Sequence, residues 1–267
     1  MQRNLSRRNK IYIYPSAWKI EYGEIASFLS ELTGIPVELR NSFFDTFVID
    51  SEKLAVDFAA ARIFDIFSTS CAAVHESYAI TAIEKEFITE GKPVYGVLYD
   101  AGRVAAALRK WIPKQERRLE TQHIVFLDRL IATYDAERYH ARMLYCSFPS
   151  LISTLGMIQA PARPKEFYIL RNSNPNIPEE VLLEQFKEKV LTYDDPRLTE
   201  VAKGLTLQTV LWTNGFEPFC KNRSCRLYNA HWQEELITSQ MQGKICGKHQ
   251  KIIRIIKDNQ NITNKKQ

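Results

Sequence analysis

Apolar residues in this chain recur with two periods, one of about two residues and one of about three and a half, and the switches between them outline its elements. Residues 11–14 read IYIY and end at Pro15, a short strand. EIASFLSELTG places Ile25, Phe28, Leu29 and Leu32 on one helical face with Gly34 behind them, and IPVELR returns to strand. A strand, helix, strand opening predicts an α/β layer with a parallel pair.

The same reading predicts a helix over 51–67, from Leu54, Phe58, Ala61, Ile63 and Phe64, and another over 78–91 before the strand PVYGVLY. Residues 101–120 predict a helix interrupted at Pro113, because proline lacks an amide donor and clashes with the turn before it. Residues 123–135 and 138–160 are rich in β-branched and aromatic side chains and predict more sheet, with a turn at Asp135 and Ala136. APARPKEFYIL reads as extended and RNSNPNIP as a loop, followed by the amphipathic helix EEVLLEQFKEKV. Asp195 caps a long helix with Pro196 at its first position, which runs to Gly215. Residues 249–257 predict a basic helix, and the polar stretch beyond it an unfolded tail.

Composition changes this picture little. The 267 residues are 45% apolar and 25% charged, enough for a sizeable core and against wholesale disorder. A net charge of +5 is mild at this length. The stretch after the basic MQRNLSRRNK is too short for a signal-peptide core, and AVDFAAARIFDIF is broken by Asp57 and Asp65, so the expectation is a cytoplasmic protein without a membrane partner.

The cysteines change it more. Five are too few and too unevenly placed for a disulfide framework, and three fall in one C-terminal stretch. Cys220, Cys225, Cys246 and His249 give C-x4-C-x20-C-x2-H, two tight loops that can each aim a pair of soft ligands at one zinc ion. Lys221, Arg223, Arg226, Lys244 and Lys248 crowd these loops and would balance three thiolates. A closed Cys3His set leaves no open position, so one structural zinc is expected. His231 competes for the fourth place.

From Leu205 to His249 the sequence resembles the metal-binding end of the archaemetzincins, and more closely an archaeal family of metallopeptidases related to them. Cys220, Cys225 and Cys246 match three cysteines of that family's second zinc set, and His249 replaces the fourth. Under the resemblance, CRLYNAHWQEEL takes the place of the methionine turn, with Leu227 for the methionine. With Gly215 on the family's glycine, Gln208 and Trp212 fall where HExxHxxGxxH has its first two histidines and Thr209 where it has its glutamate. The catalytic motif is degenerate. The loop RNSNPNIP sets a seam between an N-terminal α/β region over 1–171 and a zinc-stabilised C-terminal subdomain over 172–256, with a flexible tail over 257–267. The resemblance implies an α/β (α+β) fold with a metzincin-like mixed sheet. It implies a non-catalytic relative that binds peptide or protein in the former substrate cleft.

Two other functions compete with it. A nucleic-acid-binding zinc protein would use the zinc loops and the basic run Arg103, Arg109, Lys110, Lys114, Arg117 and Arg118 around Trp111. An active peptidase would need unusual ligands such as Glu217 with His231. Cys71 with His75, and His140 with Cys146, have the spacing of paired ligands or a nucleophile pair but read as buried or same-face side chains. APARPKEFY could edge a peptide groove, although an ordered connection is the simpler reading.

Overall fold

The computed structural model describes residues 9–69 and 77–264, with side chains as far as 260. The chain begins with β1 (Lys10–Tyr14), α1 (Tyr22–Thr33) and β2 (Val37–Leu39). It continues through α2 (Phe43–Thr46), α3 (Ser51–Ala61), β3 (Arg62–Ile63), α4 (Tyr78–Glu90), β4 (Val94–Asp100) and α5 (Ala101–Arg109). Then come β5 (Thr121–Leu127), β6 (Arg129–Asp135), β7 (Arg138–Arg142), β8 (Leu144–Tyr145) and β9 (Ser150–Ser153). Helices α6 (Thr154–Gln159), α7 (Lys165–Ser173), α8 (Glu179–Gln185), α9 (Leu198–Thr213), α10 (Gln233–Gln242) and α11 (Gly247–Asn264) complete it.

Two mixed sheets form, in the orders β2-β1-β5-β9-β8 and β3-β4-β6-β7. In the first, β1 pairs in parallel with β2 and β5, β5 with β9 likewise, and the edge strand β8 runs antiparallel to β9. Because successive side chains leave a strand on opposite faces, β1 and β5 feed two cores. Ile11, Ile13, Ile124 and Phe126 pack with α1, α9, α10 and α11 on one side. Tyr12, Tyr14, Val125 and Leu127 pack with α3, α5, β4 and β6 on the other. Covered faces are what a largely parallel sheet requires. The first core crosses residue 171 without a break, joining Ile11 to Val201, Leu227 and Ile256.

The fold class is the mixed α/β arrangement expected, and several boundaries move. The helix anticipated to Phe67 stops at Ala61 and passes into β3. The stretch 138–160 contains α6, where Ser153 Oγ accepts from the Gly156 amide at 2.7 Å as an N-cap. Residues 165–173, anticipated as extended to 170 and as loop from 171, form α7: Pro164 sits at its N-cap, where a missing amide costs no helical bond. Helix α8 ends at Gln185 instead of continuing to Val190, and α9 starts at Leu198, so Pro196 lies before it. The segment 257–267, expected as an unfolded tail, is helical as far as Asn264. Ile253 and Ile256 are buried in the first core and Lys257 Nζ donates to Glu31 O at 2.8 Å, which anchors this polar helix on α1. Ala136 and Glu137 turn the β6–β7 hairpin with φ of 47° and 65°, left-handed values matching the twist of paired strands.

Among the described residues no helix is long and apolar enough to cross a membrane.

Candidate metal centre and adjoining cleft

The four residues singled out by spacing converge. The ligand atoms of Cys220, Cys225, Cys246 and His249 all lie within 4.8 Å of one another, and this is the group among the described residues able to hold a metal ion. Cys220 Sγ is 3.8 Å from Cys246 Sγ, and His249 Nδ1 is 3.8 Å from Cys225 Sγ and 3.1 Å from Cys246 Sγ. Tetrahedral zinc with sulfurs at about 2.3 Å would hold those sulfurs about 3.8 Å apart, so the set fits the ion.

Backbone bonds close both ligand loops. The Cys220 amide donates to Leu227 O at 2.7 Å and the Cys225 amide to Asn222 O at 3.0 Å. The Arg226 amide donates to Lys244 O at 2.6 Å, tying the first loop to the second. Cys246 leads into α11, and His249 stands in its first turn. Cys225 and His249 are fully buried. Burial pushes the Cys225 thiol up to about 11, so without an ion it is protonated at neutral pH. Burial also pushes Cys246 up, but the His249 amide and the thiols of Cys225 and Cys220 outweigh it and hold Cys246 below its ordinary value. Burial, then the Lys248 charge, hold the His249 imidazole below its usual value, neutral and able to ligate.

The surrounding cations behave less uniformly than their spacing suggests. Arg226 is buried and donates to Glu200 Oε2 at 2.5 Å and Gln240 O at 3.0 Å, so its charge goes to a carboxylate on α9. Arg223 pairs with Glu235 at 3.4 Å. His231 is exposed and stands outside the sulfur cluster, its amide donating to Glu235 Oε2 at 3.3 Å.

Beside the centre lies a cleft of about 560 Å³, walled by the edge strand β8, by α9, and by the segments either side of the first cysteine pair. Gln208, Trp212, Glu217, His231, Cys146 and Gln240 all line it. Gln208 and Trp212, at i and i+4, share one face of α9. Thr209 does not join them: it is fully buried and its hydroxyl accepts from Gln122 Nε2 at 3.0 Å, while Thr213 donates to Gln122 Oε1 at 2.8 Å. These polar links fasten α9 to β5.

The ligand loop also hangs on the cleft floor. Gln208 Nε2 donates to Leu227 O at 3.3 Å and Gln240 Nε2 to Arg226 O at 2.7 Å. Both side-chain oxygens, buried, have no hydrogen-bond partner among the described residues. An unpaired buried acceptor costs about 1–3 kcal/mol. Gln240 Oε1 is pressed against α9 at Gly204, where a Cβ would meet it at 2.2 Å. Nothing in the sequence pattern marks Gln240 or Gln122. The i, i+4 pair Gln208 and Trp212 was visible.

The weaker pairings, read from the sequence as buried or same-face side chains, lie apart from this centre or outside the described residues. His140 Nε2 lies 3.1 Å from Asp135 O inside its own hairpin, while Cys146 sits in the cleft with burial pushing its thiol up to about 12. Cys71 and His75 fall outside the described residues. In the basic run, Arg103 donates to Ala60 O, Lys110 pairs with Asp57, and Arg117 donates to Ile112 O and Lys110 O, so much of its donor capacity is used internally. Ala160 and Pro161 do border the cleft, and Ala162 bridges to Trp232.

Fold and site thus define a mixed α/β protein with a compact Cys3His cluster that could hold a metal, set against a cleft. The family model of the probable metallopeptidase family (DUF6775) matches residues 6–256, and the chain belongs to that family. A crystal structure of a zinc-dependent peptidase from Methanocorpusculum labreanum (strain Z) is similar at 12% identity and a TM-score of 0.41, covering 92% of this chain and 98% of that one. The comparison with curated proteins finds no match.

Proposed function

We propose that this chain is an archaemetzincin-like, cytoplasmic member of its family, of archaeal type, that binds peptide without hydrolysing it. One zinc, held by Cys220, Cys225, Cys246 and His249, serves as scaffolding for residues 172–256. The observation that carries this reading is the floor of the cleft. Helix α9 turns Gln208 and Trp212 toward it and Thr209 away from it, where the resemblance places two ligand histidines and a catalytic glutamate. A metal-activated water needs about three protein ligands and a general base. Among the described residues the Cys3His set is the one group that could hold an ion, and its four donors would leave no open position.

Bound zinc would order the ligand loop, and through Leu227 O and Arg226 O the loop sets the amides of Gln208 and Gln240. The test is to offer unstructured peptides to the zinc-loaded chain, following cleavage by mass spectrometry and binding by fluorescence polarisation. Binding with no new termini is the expected outcome. Cleavage that a chelator abolishes would replace this reading with the peptidase one, using Glu217 and His231.

One observation favours nucleic acid as a second reading. A groove beside α11 is lined by Lys244, Arg254 and Lys257 and, among the described residues, by no acidic side chain. It calls for affinity to single strands that falls steeply with salt.

A further inference from the structure

We propose that the cleft carries a subsite for a basic side chain of the bound peptide, an ammonium or guanidinium, formed by Gln208, Trp212 and Glu217. The inference rests on the peptide-binding reading above and names the ligand chemistry of that site.

Gln208 supplies the buried acceptor. It is 3% exposed, and its amide nitrogen is committed to Leu227 O. Reversing the amide would set two oxygens against each other, so the orientation is fixed with Oε1 as the free end. That oxygen has no partner among the described residues, and the residue lines the cleft. Gln240 differs, because its unpaired oxygen lies against Gly204. An N–H donor satisfies Gln208, whereas an apolar side chain would leave it unpaired.

Trp212 supplies an aromatic face. One turn beyond Gln208 on the same face of α9, it is 41% exposed, and no lysine or arginine among the described residues lies over its ring. An open indole beside an unpaired acceptor suits a cation.

Glu217 supplies the charge. It lines the cleft, is exposed, and makes no ion pair among the described residues. The cleft's own arginine is engaged, since Arg142 Nε donates to Thr133 Oγ1 at 2.7 Å and its Nη2 lies 3.9 Å from Asp135. An acidic side chain would face Glu217. The polarity therefore selects a positively charged donor, and the volume of about 560 Å³ accommodates one with its flanking residues.

The test uses the full-length, zinc-loaded chain and three blocked, fluorophore-labelled pentapeptides of alanine with a central lysine, norleucine or glutamate. The lysine peptide is expected to bind about tenfold more tightly than the norleucine one and the glutamate peptide most weakly. Glu217→Gln and Trp212→Leu, both at exposed positions, are each expected to cut the lysine-to-norleucine ratio at least threefold, with folding checked by circular dichroism. Equal binding of lysine and norleucine peptides overturns the subsite and leaves peptide binding standing. A lysine preference that survives both substitutions places the cation elsewhere and overturns the assignment. Absence of binding by all three peptides overturns the subsite and the peptide reading together.

Discussion

The metal centre and the cleft share a wall and differ in completeness. At the centre every donor faces a common point: three sulfurs and one imidazole nitrogen lie within 4.8 Å. Along the cleft wall the polar groups of α9 face different ways, with Thr209 turned away and tied to the sheet, the Gln208 nitrogen tied to Leu227 and its oxygen unpaired. Under the proposed reading, an ion bound at the centre would be fixed from four sides. Under the same reading a binding site keeps groups unsatisfied for a ligand to fill, and the Gln208 oxygen is such a group.

The comparison breaks most severely if the centre is not structural. Cys225→Ser should lower stability by at least ~3 kcal/mol, a fraction of the ~10 kcal/mol or more that structural zinc contributes in small peptides, and chelation of the unaltered chain should reproduce the loss in thermal scans. The opposite face of the sheet provides a metal-independent control. His123 is buried, and burial lowers its imidazole to about 4 from 6.5. The unfolded chain takes up that proton below pH 6.5 while the folded chain resists it. His123's contribution is therefore complete above pH 6.5 and is lost as pH falls toward 4, by about 3 kcal/mol. His123→Gln should flatten urea stability over that window, with zinc bound or removed.

Gly204→Ala sharpens the comparison, because a Cβ there collides with the Gln240 amide that is held to Arg226 O. A loss of ~2 kcal/mol is expected in urea titrations, smaller when Gln240→Ala is added. The smallest effect falls in the cleft itself. Trp212→Leu should change stability by less than ~0.5 kcal/mol while weakening peptide binding, since its ring is exposed.

The centre was legible because loop spacing alone restricts where Cys220, Cys225, Cys246 and His249 can point. The opening α/β unit was legible because Ile11, Ile13, Ile25 and Leu29 follow their periods and all reach the core. Helix α7 was not, since two prolines and two aromatics in APARPKEFY mimic an extended segment, and Pro164 serves instead as a cap. The polar run after Lys257 hid a helix whose anchor lies far away in sequence, at Glu31. Arg226 looked like a counter-ion for sulfur until Glu200, on α9, claimed it. What stayed hidden in each case was a tertiary partner that no local pattern encodes.

The most direct measurement is the number of zinc ions per folded chain, by native mass spectrometry on protein purified without added metal, unaltered and as Cys246→Ser. The expected result is one ion in the unaltered chain and none in the variant. Two ions in the unaltered chain, with one persisting in Cys246→Ser, would contradict the account by placing a metal in the cleft.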